Sequence, residues 1–281
     1  RRGPGIGAFQ GGMNICARLL PLAPAAGLRY LTWTIVDGDR PGVCAVDPHQ
    51  PKNRQHQDDP GMNLITWNVQ WCRGVDGAVD PARIVDEAKR LADFDVLCVQ
   101  EIADNYPDPR LGGSRGDDQF ARLAQLLPGF TAVPGIAVDQ PGDDGRRRHF
   151  GNMILSRLPV LQVYRFLLPY PCDAGVPGMP RIAIEAVIQT GSGDVRVVTT
   201  HLEYYSEKQR MAQVDALRAI YSEGSVHARN ARVTMNDGGP FQTFIRPRAT
   251  VITGYGNFEP DSAHPPPPPA PFPISRASRG R

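Results

Sequence analysis

No stretch of this 281-residue chain carries the eighteen or more consecutive apolar residues of a membrane-spanning helix. Its five cysteines, Cys16, Cys44, Cys72, Cys98 and Cys172, form neither a paired framework nor the close spacing of a zinc site. That pattern excludes a disulfide-stapled scaffold and predicts reduced, mostly buried thiols and a cytoplasmic location. Charge of one sign is also scarce. The formal net charge is +2, and residues 62–261 hold 21 Lys and Arg against 24 Asp and Glu, while the two flanks hold 10 against 5. A slightly acidic centre lacks the clustered cations that release counterions from nucleic acid, which leans away from avid sequence-independent binding. A monomer is expected.

What is present is a core-sized apolar fraction, 41% of residues, unevenly spread. Residues 1–61 are rich in Pro, Gly and Arg, show little periodicity, and read as an irregular or disordered leader. Within them M-N-I-C-A-R-L-L-P-L-A-P-A-A-G, from Met13, faintly resembles a targeting leader, but prolines interrupt its apolar run. The texture changes at Met62 and again after Asp261. Five consecutive prolines, Pro265–Pro269, cannot donate to a β-ladder, so residues 262–281 read as a disordered, Pro-rich tail. The abruptness at both ends suggests that 1–61 and about 262–281 are not native domain sequence, as out-of-frame translation would give.

Between these ends, strand and helix signals alternate irregularly. Leu64 to Gln70 is β-rich. Pro81 to Ala92 places Ile84, Val85, Ala88 and Leu91 on one helical face, with Asp80 as N-cap and Pro81 at the first helical position. Val96 to Gln100 is a short apolar strand, and Gln119 to Leu127 a second helix. Strands are expected at 152–156, 160–164, 182–188 and 195–200. A third helix is expected from Ser206 to Tyr221, with Met211, Val214, Leu217 and Tyr221 as its apolar stripe. A polar insertion, 223–248, then precedes a strand at 249–253. Strands arriving singly and in pairs among few helices predict a layered α/β or α+β domain with mixed sheets.

Several of these strands end in polar residues: Asn68 in L-I-T-W-N-V-Q, Glu101 after V-L-C-V-Q, His201 and Glu203 after V-V-T-T, Asn257 after V-I-T-G-Y-G. Strand termini on one edge of a layered sheet meet in space and form a site. The set suits hydrolysis at phosphorus. One carboxylate and an amide oxygen suffice for Mg²⁺, which keeps several waters, and a neighbouring His or Asn can stabilise charge on phosphoryl oxygens.

Together with F-G-N-M-I-L-S-R and P-R-I-A-I-E-A-V-I, these segments stand in an order and spacing that resembles the endonuclease/exonuclease/phosphatase superfamily, from about Met62 to Asp261. The resemblance implies a four-layer α/β sandwich of two packed mixed sheets with helices outside and a site at one edge. It implies Mg²⁺, with Mn²⁺ as the alternative, and a phosphate-ester substrate, whether nucleic acid, small molecule or lipid head group. By position, Glu101 matches the metal-binding glutamate and Asn68 the asparagine that orients the metal shell or the phosphate. His201 resembles the histidine that donates to the scissile phosphate, and Asn257 the asparagine that positions water or phosphate. Asn152 and Arg181 resemble pocket-lining positions, as substrate contacts or as supports. Glu203 reads as a supporting residue, Arg157 as a structural ion-pair partner, and Arg146 to His149 as a loop, either a solvated basic turn or a phosphate-attracting rim.

The resemblance breaks in two places. The G-D-x-N motif stands here as Gly254, Tyr255, Gly256, Asn257, and a phenol with an ordinary pKa of about 10 replaces the carboxylate. No S-D-H follows; His264 stands in A-H-P-P, and the last strands of the sandwich are expected to be missing. Two expectations follow: a phosphoesterase of impaired activity, or a non-catalytic member that keeps part of the fold and phosphate binding.

Overall fold

The computed structural model describes residues 62–107, 111–230, 238–242 and 245–257, with the backbone of two further strands. Those strands are β1 (Asn14–Arg18) and β2 (Thr32–Val36), paired antiparallel with one another. The segment expected to be irregular therefore contributes to a sheet; T-W-T-I-V is dense in β-branched and aromatic residues, a local signal outweighed in the sequence reading by the Pro, Gly and Arg around it. The rest of 1–61, and all of the tail 262–281, lie outside the described residues.

The chain then runs β3 (Asn63–Asn68), α1 (Pro81–Leu91), β4 (Val96–Asp104), α2 (Gln119–Leu126), β5 (Thr131–Pro141), β6 (Arg147–Ser156), β7 (Val160–Leu167), β8 (Ile182–Thr190), β9 (Gly193–His201), α3 (Glu207–Arg229) and β10 (Thr250–Tyr255). The first sheet has the order β2-β1-β3-β4-β6-β5, the second β10-β9-β8-β7. Both are mixed: β3 and β4 run parallel, as do β9 and β10, and the other pairs are antiparallel.

Side-chain alternation along the strands makes the layers. Leu64, Cys98 and Ile154 of the first sheet pack against Ile184, Ala186, Val197 and Val251 of the second. Their sequence neighbours Ile65, Leu97, Val99 and Leu155 face the opposite way and bury Ile84, Val85 and Ala88 of α1 and Phe120 and Leu123 of α2. On the far side of the second sheet Ala183 and Val198 cover Leu217 and Ile220 of α3. Helix, sheet, sheet, helix is the expected four-layer α/β sandwich. Polar links also tie the sheets, among them Gln100 Nε2, which donates to Thr66 Oγ1 at 3.1 Å in its own sheet and to Thr199 Oγ1 at 3.0 Å in the other.

Local logic accounts for the element ends. Asp80 caps α1 by accepting from Ala82 N and Arg83 N, Asp118 caps α2 through Ala121 N, and Ser206 caps α3 through Gln209 N. β5 was not expected, because Pro134 and Gly135 interrupt its pattern. It lies at the edge of its sheet, where a residue without an N–H is tolerated. The third helix continues eight residues past its expected end, through Gly224, into the segment read as an insertion. Gly224 is there for space: a Cβ would collide with the Arg196 guanidinium, which lies under the helix. Its buried face is also more polar than expected, with Gln209 and Gln213 beside Leu217 and Ile220, while Met211 is exposed.

Candidate active site

The C-terminal ends of β3, β9 and β10 and the bulge within β4 meet at one edge of the sandwich, and each delivers one of the expected polar residues. β3 ends on Asn68, and the chain then turns sharply through Gln70, Trp71 and Cys72, all with positive φ. In β4 the ladder slips between Gln100 and Ile102, leaving Glu101 as the extra residue of a bulge with φ 61°. A bulge re-aims its side chain, and a non-glycine residue held at positive φ is a form of strain that collects at working sites. β9 ends on His201. β10 runs parallel to it with Tyr255 opposite His201, and Gly254 has φ 134° with its Cα hydrogen against the Thr200 carbonyl, where no Cβ would fit. That close approach brings Asn257, itself at φ 54°, onto the His201 ring.

The four residues form one contact chain. Asn68 Nδ2 donates to Glu101 Oε1 at 2.8 Å, and Asn68 Oδ1 accepts from Gln70 N at 3.1 Å. Glu101 Oε1 lies 3.7 Å from His201 Nδ1, and Asn257 Nδ2 lies 3.1 Å from His201 Nε2 and donates to Leu202 O at 2.7 Å. Because Asn257 offers an N–H to Nε2, the proton of the neutral ring sits on Nδ1 and points towards Glu101.

Arg181 and Asn152 stand beside this chain. With His201, Met179, Phe150 and Ile182 they line a hollow next to Glu101. Asn152 Nδ2 donates to Ile182 O at 3.1 Å, so this nitrogen braces the wall of the hollow that Asn152 also lines. Arg181 is buried and pairs with buried Glu203 through Nε at 3.1 Å. Glu203 also accepts from Met179 N at 3.3 Å and Tyr205 N at 3.1 Å, so it organises the loops on both sides. Arg157 makes the structural ion pairs expected of it, to Asp93 and Asp95. His149 lies in β6, not in a loop, 3.0 Å from Asp104.

Charge is arranged unevenly. Burial raises the Glu101 carboxyl above its ordinary range, against the opposing effects of the Asn68 hydrogen bond and the Arg181 charge. Burial and then Arg181 hold His201 well below the ordinary imidazole value, so the ring is neutral at pH 7. Burial, then the charge of Glu101 and the proximity of Tyr204, raise the Tyr255 phenol. Tyr255 stands edge-on to His201, ring centroids 5.5 Å apart, and remains a neutral phenol. Among the described residues, no three His, Cys, Asp or Glu stand together to hold a metal. The donors present, a carboxylate 16% exposed and an amide oxygen with one lone pair beyond its Gln70 contact, fit a hard cation that keeps most of its waters.

The sequence reading missed two kinds of residue here. Gln213, which fixes Glu203 by accepting from its backbone N–H at 2.8 Å, was hidden in a helix face expected to be apolar. Tyr204 and Tyr205, directly after H-L-E, carried no pattern that would have marked them.

The sequence pattern of the Endonuclease/Exonuclease/phosphatase family matches residues 65–275. No curated protein matches the chain. Among solved structures, an endonuclease/exonuclease/phosphatase from Beutenbergia cavernae DSM 12333 is similar at 28% identity, covering 64% of this chain and 50% of that one, with a TM-score of 0.43. A mannosyl-6-phosphatase of Bacteroides thetaiotaomicron VPI-5482 is similar at 16% identity, over 70% and 65% of the two chains, TM-score 0.43. D. rerio TDP2 complexed with single strand DNA product is similar at 16% identity, over 70% and 61%, TM-score 0.42. The chain thus spans between half and two thirds of the length of these proteins.

Proposed function

The chain belongs to the endonuclease/exonuclease/phosphatase family, and from that premise we propose that it is a phosphate-ester hydrolase dependent on Mg²⁺, or on Mn²⁺ in its place. The observation that carries this reading is the contact chain Asn68, Glu101, His201, Asn257, assembled from the ends of β3, β9 and β10 and the bulge of β4 at one edge of the sandwich. Glu101 would hold the cation, with Asn68 aligning its carboxylate and offering an amide oxygen. When bound, the ion supplies positive charge to the phosphoryl oxygens and lowers the pKa of an attacking water. A cation there also offsets the cost of a buried carboxylate, which the protein alone meets only through Asn68 and Arg181.

The remaining steps fall to the protein's own groups. His201, neutral with its proton on Nδ1, donates to a phosphoryl oxygen lying beside Glu101. Asn257 holds the ring in that tautomer through Nε2, and Arg181, one residue from the hollow's Ile182 and paired with Glu203, provides a fixed positive charge beside the site. Tyr255 can donate a hydrogen bond but cannot take a proton at pH 7, so the group that would prepare the water is a poor one. Replacing an acid or base in this way costs about 10²- to 10⁴-fold in rate.

That half-buried phenol, opposite His201 in the register, favours a second reading: a member of the family that binds phosphate without turning it over. Hydrolysis of bis-p-nitrophenyl phosphate with and without Mg²⁺ separates the two. Mg²⁺-dependent release of p-nitrophenol that vanishes in Glu101→Ala supports the hydrolase; no release beyond the Glu101→Ala background supports the binding protein. Calorimetric titration with Mn²⁺ gives a readout apart from turnover, with saturable binding expected in the native chain and none in Glu101→Ala.

A further inference from the structure

The loop that follows His201 carries two neighbouring tyrosines whose rings face outward. Tyr204 is 43% exposed and Tyr205 52%. Their rings stand at right angles with centroids 4.9 Å apart. The pair starts three residues after His201, and Glu203, which holds Tyr205 N, takes on its other oxygen the Arg181 that lines the hollow with His201. The aromatic corner therefore borders the site. The backbone beneath it is fixed. Arg210 Nη1 donates to Glu203 O at 3.0 Å and to Tyr204 O at 2.9 Å, Tyr205 N is held by the buried Glu203 carboxylate, and Ser206 Oγ donates to Asp173. Two large rings exposed on a pinned loop leave apolar surface in water, and a rigid aromatic pair offers contact area at little conformational cost to a ligand that covers it.

We propose that Tyr204 and Tyr205 form a stacking platform for a planar ring carried by the substrate, so that the ester cleaved or bound at Glu101 and His201 is that of an aryl or nucleoside alcohol, not of a plain sugar or an alkyl lipid. The proposal rests on the phosphate-ester reading above. It also accommodates the absence of a basic surplus in the domain, because a ring held by stacking needs few phosphate contacts beyond the one at the site. Stacking is sequence-tolerant and non-covalent, so no change to the reaction is involved.

The test is calorimetric titration of the full chain, in Mg²⁺, with three monophosphates: adenosine 5′-monophosphate, phenyl phosphate and ribose 5-phosphate. A ring on this platform tightens binding by about tenfold or more over ribose 5-phosphate, the range of a single base stacked on an aromatic side chain. The preference disappears in Tyr204→Ala/Tyr205→Ala and persists in Tyr204→Phe/Tyr205→Phe. Preference for the adenosine ester alone assigns a nucleobase; preference for both ring esters assigns any flat ring. Either supports the platform. Equal affinity for all three esters in the native chain overturns the platform and leaves the phosphate site standing. A ring preference that survives the alanine pair also overturns it. Failure of all three to bind overturns the phosphate-ester reading, and the platform with it. If the alanine pair does not fold, Tyr205→Leu alone replaces it, a weakened ring preference supporting the platform and an unchanged one overturning it.

Discussion

Substituting Glu203→Gln removes one negative charge from the interior and leaves Arg181 with its guanidinium buried and its partner gone. The geometry is demanding because the same carboxylate serves three donors: Arg181 Nε and Met179 N on Oε2, and Tyr205 N on Oε1. A glutamine of the same shape can face an oxygen to one side only, so an N–H is left against an NH₂ group on the other. Breaking a buried pair from one side costs about 3–5 kcal/mol, most of it the uncompensated charge, and an orphaned N–H about 1–3 kcal/mol. For a domain of this size the first figure corresponds to a fall in Tm of about 6–20 °C. Urea unfolding followed by circular dichroism measures the loss. Adding Arg181→Met to the same protein removes the stranded charge and returns at least about 1 kcal/mol relative to Glu203→Gln alone, because a buried pair replaced as a whole costs far less than a pair broken. A Glu203→Gln protein within about 1 kcal/mol of the native one, or a double variant no better than the single, would refute the argument that Glu203 is the counter-ion on which this loop and Arg181 depend.

Three other outcomes are expected. Glu101→Gln lowers hydrolysis of bis-p-nitrophenyl phosphate about 10²-fold or more, yet raises stability in divalent-free buffer at pH 7. The sign follows from linkage: burial raises the folded carboxyl above its unfolded value, so its stabilising contribution is full below about pH 4.5 and lost as pH rises through the folded value. Native and Glu101→Gln stability curves that run parallel from pH 4 to 8 would contradict that. Gly254→Ala destabilises by at least about 2 kcal/mol in the same urea assay, since an L side chain is strained at φ 134° and its Cβ would meet the Thr200 carbonyl; tolerance of alanine would show that β10 does not approach β9 as described. Tyr255→Asp raises Mg²⁺-dependent hydrolysis by about 10²-fold by restoring a carboxylate beside His201, and unchanged turnover would place the defect elsewhere.

Much of the sandwich was legible in the chain because burial on both faces leaves a strong local mark. V-L-C-V-Q could only be a doubly covered strand, and Asp80 before Pro81 fixes the start of α1 whatever surrounds it. The elements misread were those whose local signal is opposed by their surroundings. β5 carries a proline and a glycine and survives as an edge strand. α3 runs through Gly224 because Arg196 needs the room, and Arg246, in a segment read as a polar insertion, is buried against Glu185, with its Nη2 2.8 Å from the carboxylate. A buried ion cluster of this kind has no sequence signature, since each charge looks like a surface residue until its partner is found.

The division at the site follows the same physics. Residue type and strand position, both local properties, are enough to single out Asn68, Glu101, His201 and Asn257 and to mark Tyr255 as a phenol where the family pattern has a carboxylate. What the residues do to one another depends on distances across strands far apart in the chain. Only the fold decides that Asn257 fixes the tautomer of His201, that Asn152 Nδ2 is committed to a backbone carbonyl, that Glu203 and Gln213 hold Arg181 in place, and that two tyrosines with no motif of their own stand beside the candidate site. The sequence determines which chemical groups are available; packing of the two sheets determines which are neutral, which are charged and which can reach a phosphate.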